Sequence, residues 1–173
     1  MMTSSALVEL LRLIEAGEVE IWLDGGWGVD ALLGAQTRPH KDVDIIVRVS
    51  DLGKVDQILH ARGYATRPDG TASNFVVADR SGLEIDVHAI TFDANGNGIY
   101  RMANGQDWIY PAAGFEGRGT INDYSVRCLS AAVQVLCHTD GYTPAAKDID
   151  DMEHLRARFG VELPAHLRRT VPS

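Results

Sequence analysis

Apolar and polar positions alternate along this chain with two periods, and the switches between them divide it into elements. Residues 5–16 place apolar side chains every three or four positions and stop at Gly17, which predicts an amphipathic helix. Val19–Asp24 predicts a short strand that Gly25-Gly26 breaks, and Trp27–Leu33 predicts a helix closed by Gly34. After a polar loop over 35–41, Val43–Val49 is a near-continuous apolar run, the mark of a buried strand. Asp51 begins a helix to about Arg62, ended by Gly63. Residues 73–79 and 82–90 alternate around Asp79-Arg-Ser-Gly82 and predict a hairpin.

Asp93-Ala-Asn-Gly-Asn-Gly98 is a turn cluster, and 99–120 carry no assignable period. Tyr124–Leu129 predicts a strand, Ser130 a helix cap for residues to about His138, and Thr143-Pro144 the start of a helix through Phe159, stopped by Gly160. Residues 161–173 are expected as a loose tail. The order is αβαβα, a β-hairpin, then a C-terminal helical pair: an α/β (α+β) protein with helices on a mixed sheet. The expected organisation is one domain over 1–173, with a core over about 19–129 and the helical pair over about 130–160.

At 173 residues the chain can bury a real core, and its 45% hydrophobic and 23% charged content is ordinary for a globular protein. No apolar run is long enough to span a bilayer, and the first residues lack the basic start and apolar run of a secretory signal. With two cysteines and no disulfide pattern, the expected compartment is the cytoplasm. A net charge of -8 argues against nucleic acid as a partner and favours a cationic small molecule.

The candidate chemistry lies where strands end. In a strand, alternate residues share a face, so Asp42 and Asp44 point one way while Val43 and Ile45 enter the core. Two carboxylates about 6.5–7 Å apart along a strand can converge on divalent ions. Glu84, Asp86 and His88 repeat the pattern, so Asp86 can complete a three-carboxylate cluster if the strands are neighbours. Gly25-Gly26 expose backbone amides at a helix start, where a phosphate is favoured. Neither a Walker loop nor a dinucleotide-binding glycine turn is present.

Gly25-Gly26, Asp42/Asp44 and Asp86 resemble the nucleotidyltransferase superfamily that includes DNA polymerase β. Within it, Ile21-Trp-Leu-Asp-Gly-Gly-Trp-Gly-Val-Asp30, Arg38-x-His-x-Asp-x-Asp44, Asp86-Val-His88 and His138…Gly141-Tyr142…Asp148…Asp151 are most similar to single-domain lincosamide nucleotidyltransferases. The aminoglycoside 2''-nucleotidyltransferases share the front half of this pattern. The resemblance spans about residues 19–160; Pro39, between Arg38 and His40, departs from it. It implies a polymerase β-like fold and transfer of a nucleoside monophosphate, as AMP from ATP or from another nucleoside triphosphate, to a hydroxyl of a small cationic antibiotic.

The same resemblance implies two Mg²⁺ ions held by Asp42, Asp44 and Asp86, with Asp86 also a candidate base. Gly25, Gly26, Arg38, His40 and Lys147 are candidate nucleotide contacts; Trp27, His88, Trp108 and Tyr110 are candidate walls for the acceptor. Asp148 and Asp151, one helical turn apart, read as helix caps. Two other classes stand beside this one: a non-catalytic nucleotide- or metal-binding module, and a metal-dependent phosphoesterase. A short chain with a partly open cleft can also dimerise to complete its pocket, so a homodimer is a candidate assembly.

Overall fold

The computed structural model describes residues 1–68, 70–139 and 143–168; Gly141 and Tyr142 of the sequence pattern, and residues 169–173 of the tail, lie outside the described residues. Helix α1 (Ser4–Ala16) starts where Thr3 Oγ1 accepts from the amide of Ala6, and buries the stripe Leu7, Leu10, Leu11 and Ile14. Strand β1 (Ile21–Asp24) leads directly into α2 (Gly25–Leu33). This helix takes in the glycine pair that the sequence pattern set aside as a break. The reason is local: Asp24 stays extended and its carboxylate accepts from the amide of Gly25 at 2.7 Å, capping the first turn.

Strand β2 (Asp42–Arg48), a 3₁₀ turn and α3 (Leu52–Ala61) follow, then β3 (Ala65–Thr66), β4 (Asn74–Ala78) and β5 (Glu84–Phe92). The β4–β5 hairpin turns where Asp79 Oδ1 accepts from the amides of Ser81 and Leu83. The unassigned stretch resolves into β6 (Gly98–Arg101), β7 (Asp107–Tyr110), a 3₁₀ turn over Ala112–Glu116 and β8 (Arg118–Ile121). Strands of four residues are too short to show a period. β9 (Tyr124–Arg127) pairs with β8 through Asn122 and Asp123, both at positive φ, as a two-residue hairpin turn requires. Helices α4 (Ala131–Cys137) and α5 (Ala146–Phe159) complete the fold. No helix among the described residues is long and apolar enough to cross a membrane.

The main sheet has the order β1-β2-β5-β4-β3. β2 and β5 run parallel; the other neighbours are antiparallel, and β6 pairs with the far end of β5. One face carries Leu23, Val43, Ile45, Val47, Ile85 and Val87 into a core with α1 and α3. The opposite face is split. Near its middle, Trp22, Ile46 and Ile90 pack on Tyr110, Phe115, Leu129 and Val133. At the C-terminal end of β1 and the N-terminal ends of β2 and β5, the same face bears carboxylates.

The expected loose tail is corrected over residues 161–168. Leu163 and Leu167 pack with Val29, Ala131, Met152 and Leu155 in a third cluster. Two buried leucines at about 1.5–3 kcal/mol each hold this segment against α2 and α5.

Candidate active site

Strand register builds the floor of the site. Asp24 pairs with Asp44, and Asp44 pairs with Asp86, so three carboxylates form one row across β1, β2 and β5. Asp42 pairs with Glu84 one step along the same face. His88, two residues beyond Asp86, turns Nε2 to within 3.8 Å of both Asp44 Oδ1 and Asp86 Oδ1. Asn74 on β4 holds the far side of this group, its amide nitrogen 3.0 Å from Asp86 Oδ1 and 3.2 Å from His88 Nδ1.

Burial, more than the neighbouring charges, shows in the acids. Burial raises the Asp86 carboxyl above its ordinary range, and Asp44 and Asp42 push the same way against His88 and Asn74. Burial also raises Asp24, with Asp44 adding to it and His88 opposing. For His88, burial alone would lower the imidazole, but Asp44, Asp86 and Asp24 together raise it. Ligand atoms of Asp44, Asp86 and His88 lie within 4.8 Å of one another. The carboxylate oxygens are the hard donors that magnesium takes, whereas an imidazole nitrogen is a softer one. The donor set therefore fits a magnesium site built on the acids, with His88 beside them.

Asp24, Asp42, Asp44 and His88 line a cleft of about 600 Å³, the size of a small-molecule site, and Asp86 adjoins Asp44 and His88 beside it. One wall holds Gly25, Gly26, Arg38, His40, Asp42 and Lys147. Gly25 has φ +57°, and a Cβ there would lie 2.2 Å from Asp44 Oδ2. Thus its lack of a side chain is what lets α2 begin against the carboxylate row. A Cβ on Gly26 would meet His40 at 2.5 Å and Arg38 Nη2 at 2.6 Å. Lys147, on the first turn of α5, is exposed at the cleft. The other wall holds Tyr100, Met102, Trp108 and Tyr110. Tyr100 meets the His88 ring edge-on at 5.6 Å, and burial raises its phenol, with Asp86 adding to the effect.

The cleft brings together all but one of the residues marked in the sequence as acceptor walls. The exception is Trp27. It is 1% exposed, lies within the first core cluster and stacks on His40 with ring centroids 4.6 Å apart. Helix α2 turns it away from the cleft because Gly25 and Gly26 take the open side. His88 lines the cleft with its Nε2 set between the Asp44 and Asp86 carboxylates.

Several functional candidates were missed. Asp24 shares a face with Trp22 by simple alternation, but only the β1–β2 register reveals that it adjoins Asp44. Tyr100 and Met102 fall in the stretch that had no period. His138, part of the sequence pattern but given no role there, lines the cleft, and its Nδ1 donates to the carbonyl of Gln134 at 2.7 Å. Asp148 does cap α5, accepting from the amide of Ala145 at 2.8 Å, but Asp151 is an ion-pair partner of Arg38 at 2.7 Å.

Known proteins with this arrangement are consistent in kind. The chain is 30% identical over 155 residues to a lincosamide resistance protein of Staphylococcus haemolyticus, covering 90% of this chain and 95% of that one. It is 31% identical over 55 residues to a 2''-aminoglycoside nucleotidyltransferase of Escherichia coli, covering 32% of this chain and 31% of that protein. The crystal structure of the lincosamide antibiotic adenylyltransferase LnuA, lincomycin-bound, superposes with a TM-score of 0.78 at 29% identity, over 90% of this chain and 98% of that one. ANT(2'')-Ia in complex with adenylyl-2''-tobramycin gives a TM-score of 0.72 at 20% identity, over 89% and 87% of the two chains, which shows the shared fold. Residues 6–155 match the profile of the Aminoglycoside-2''-adenylyltransferase family, a span that takes in the glycine turn, the acid-bearing strands and most of α5, and the chain belongs to that family.

Proposed function

We propose that this protein transfers AMP from ATP to a hydroxyl group of a small cationic antibiotic and so inactivates it, with a lincosamide as the acceptor. The observation that carries the reading is Asp44 in a cleft, paired in register with Asp86 on the neighbouring strand, with Gly25 on one side and an aromatic wall on the other. It rests also on the family and on the near full-length similarity to a lincosamide resistance protein.

In this reading Asp42, Asp44 and Asp86 hold two magnesium ions. Bound magnesium supplies the positive charge that offsets the triphosphate and fixes its alignment. Arg38 and Lys147 contact the phosphates, and the amide of Gly26 cradles them at the start of α2, where the Gly25 amide is taken by Asp24 and Gly25 contributes its lack of a side chain. Asp86 takes the proton from the acceptor hydroxyl as that oxygen attacks the α-phosphorus in line and pyrophosphate leaves. Asp86 must be ionised to do this. Tyr100, Trp108 and Tyr110 wall the acceptor and exclude water from the attacking oxygen.

An aminoglycoside is the second reading, favoured by the acidity of the floor. The aromatic wall supports a lincosamide instead, because a more highly charged drug would leave these rings without apolar partners. A net charge of -8 argues against nucleic acid as a partner. The reading takes the enzyme as cytoplasmic, and as a homodimer if a second copy closes the open side of the cleft.

The test is direct. Protein, MgATP and a panel of lincosamides and aminoglycosides are incubated, and the drug is weighed by mass spectrometry while pyrophosphate is assayed. A lincosamide heavier by one adenylate, with pyrophosphate, supports the reading. Inorganic phosphate alone would make the protein a phosphoesterase, and nucleotide binding without turnover would make it a binding module.

A further inference from the structure

Behind Arg38 runs a chain of buried polar side chains that the reaction leaves without a task. Arg38 grips Asp151 of α5 through Nε, at 3.1 and 3.2 Å, and through Nη2 at 2.7 Å. Its Nη1 lies 3.1 Å from His40 Nδ1. A guanidinium can only donate, so Nδ1 accepts and the neutral imidazole carries its proton on Nε2. That Nε2 donates to Asp30 Oδ2 at 2.5 Å. Asp30 Oδ1 accepts in turn from the amide and hydroxyl of Thr37, at 2.9 and 2.7 Å.

The chain is enclosed. His40 is 3% and Asp30 1% exposed. Trp27 covers the imidazole, and the carbonyl of His40 accepts from the amide of Met2 at 3.0 Å. Ionised side chains are an expensive way to fasten a helix, since apolar residues of similar volume hold one as well without the desolvation cost. What the ions provide here is direction. Three of the five guanidinium N–H groups of Arg38 are committed to Asp151 and His40, which leaves two, on a residue that lines the cleft beside Gly26.

We propose that Asp151, His40 and Asp30 are positioning residues that aim the two remaining donors of Arg38 at the phosphates of the nucleotide, which makes the seat of α5 part of the phosphate cradle. This rests on the reading of Arg38 as a phosphate contact. The three residues act through Arg38 and need not touch the nucleotide. Their removal therefore weakens nucleotide binding and spares the acceptor.

The test is a double-mutant cycle on the whole protein with MgATP and the modified drug. Asp151→Asn keeps the shape and removes the charge. It is expected to raise the nucleotide KM about tenfold, with kcat and the acceptor KM within about twofold, and Asp151→Glu should recover most of the loss. In an Arg38→Ala background Asp151→Asn should add nothing further. Additive losses, or an equal rise in both KM values, would overturn the proposal as a general loosening of the fold. Asp30→Asn runs the same cycle from the far end, with melting curves beside each variant.

Nitrogen-15 spectra of the His40 imidazole read the chain without turnover. A proton on Nε2, and an Nδ1 signal that moves in Asp151→Asn, support it; an unmoved signal overturns it. A responsive imidazole with an unchanged nucleotide KM in Arg38→Ala would instead sink the phosphate role of Arg38, and the positioning claim with it, while the side-chain chain itself stood.

Discussion

On one side of the cleft, Gly25, Arg38 and Asp44 hold places set by strand register and charge; on the other, Tyr100, Trp108 and Tyr110 are held by ring contacts on a hairpin hung from the end of β5. The first wall has no slack. A Cβ at Gly25 would sit 2.2 Å from the Asp44 carboxylate, and Arg38 is tied at three of its N–H groups. The second wall is joined edge to face, with Tyr100 6.5 Å and Trp108 6.4 Å from Tyr110. Such ring pairs contribute about 0.5–1.5 kcal/mol each and tolerate small shifts. In the proposed function the polar wall therefore sets the reaction, and the aromatic wall sets which acceptor enters.

The harshest way to break this division is to strike the floor. Asp44→Asn or Asp86→Asn should lower turnover about a thousandfold or more while the protein still melts cooperatively. Chelation of divalent metal should do the same to the parent protein, reversibly on adding magnesium. Turnover near the parent level in either variant would remove these acids from the chemistry.

Gly25→Ala tests the lack of slack. With φ at +57° and the carboxylate in the way, it should cost about 1–2 kcal/mol of stability in a denaturant titration. Turnover should fall about ten- to a hundredfold as α2 is pushed off the row. An alanine accepted without loss would show that the two elements can move apart.

Trp108→Ala tests the adjustable side. The acceptor KM should rise about tenfold, with kcat and the nucleotide KM little changed. A matching rise in the nucleotide KM would mean that the walls are not separate.

The smallest effect is on stability against pH in metal-free protein. Asp24 and Asp86 are held above the ordinary carboxylate range, so the folded state binds more protons than the unfolded state between that range and their raised values. Stability should then fall as pH rises through this interval. Asp86→Asn should flatten that slope, and a slope unaltered by the substitution would contradict the raised carboxyl of a half-buried Asp86.

Much of the polar wall could be read along the chain. Alternation placed Asp42 with Asp44 and Asp86 with His88, and the paired glycine marked the start of α2. The rest lay beyond local pattern. Arg38 and Asp151 are 113 residues apart, and nothing near Asp151 distinguishes an ion-pair partner from a helix cap. Trp27 offered the same ambiguity, since a large ring beside a glycine turn fits a pocket or a core equally well. The aromatic wall was least legible, because β6 and β7 have four residues each.

The amino-acid order by itself determined most of the elements outside 99–120, the faces of β2 and β5, and the residue types suited to metal and phosphate, because periods of 2 and 3.6 are properties of adjacent residues. Tertiary structure alone decided that β1, β2 and β5 are neighbours in the register that aligns Asp24, Asp44 and Asp86. It also decided that α5 reaches back to Arg38, and that residues 161–168 pack against α2. Those outcomes depend on which apolar faces bury one another, and burial is not directional enough for any single segment to encode its partner.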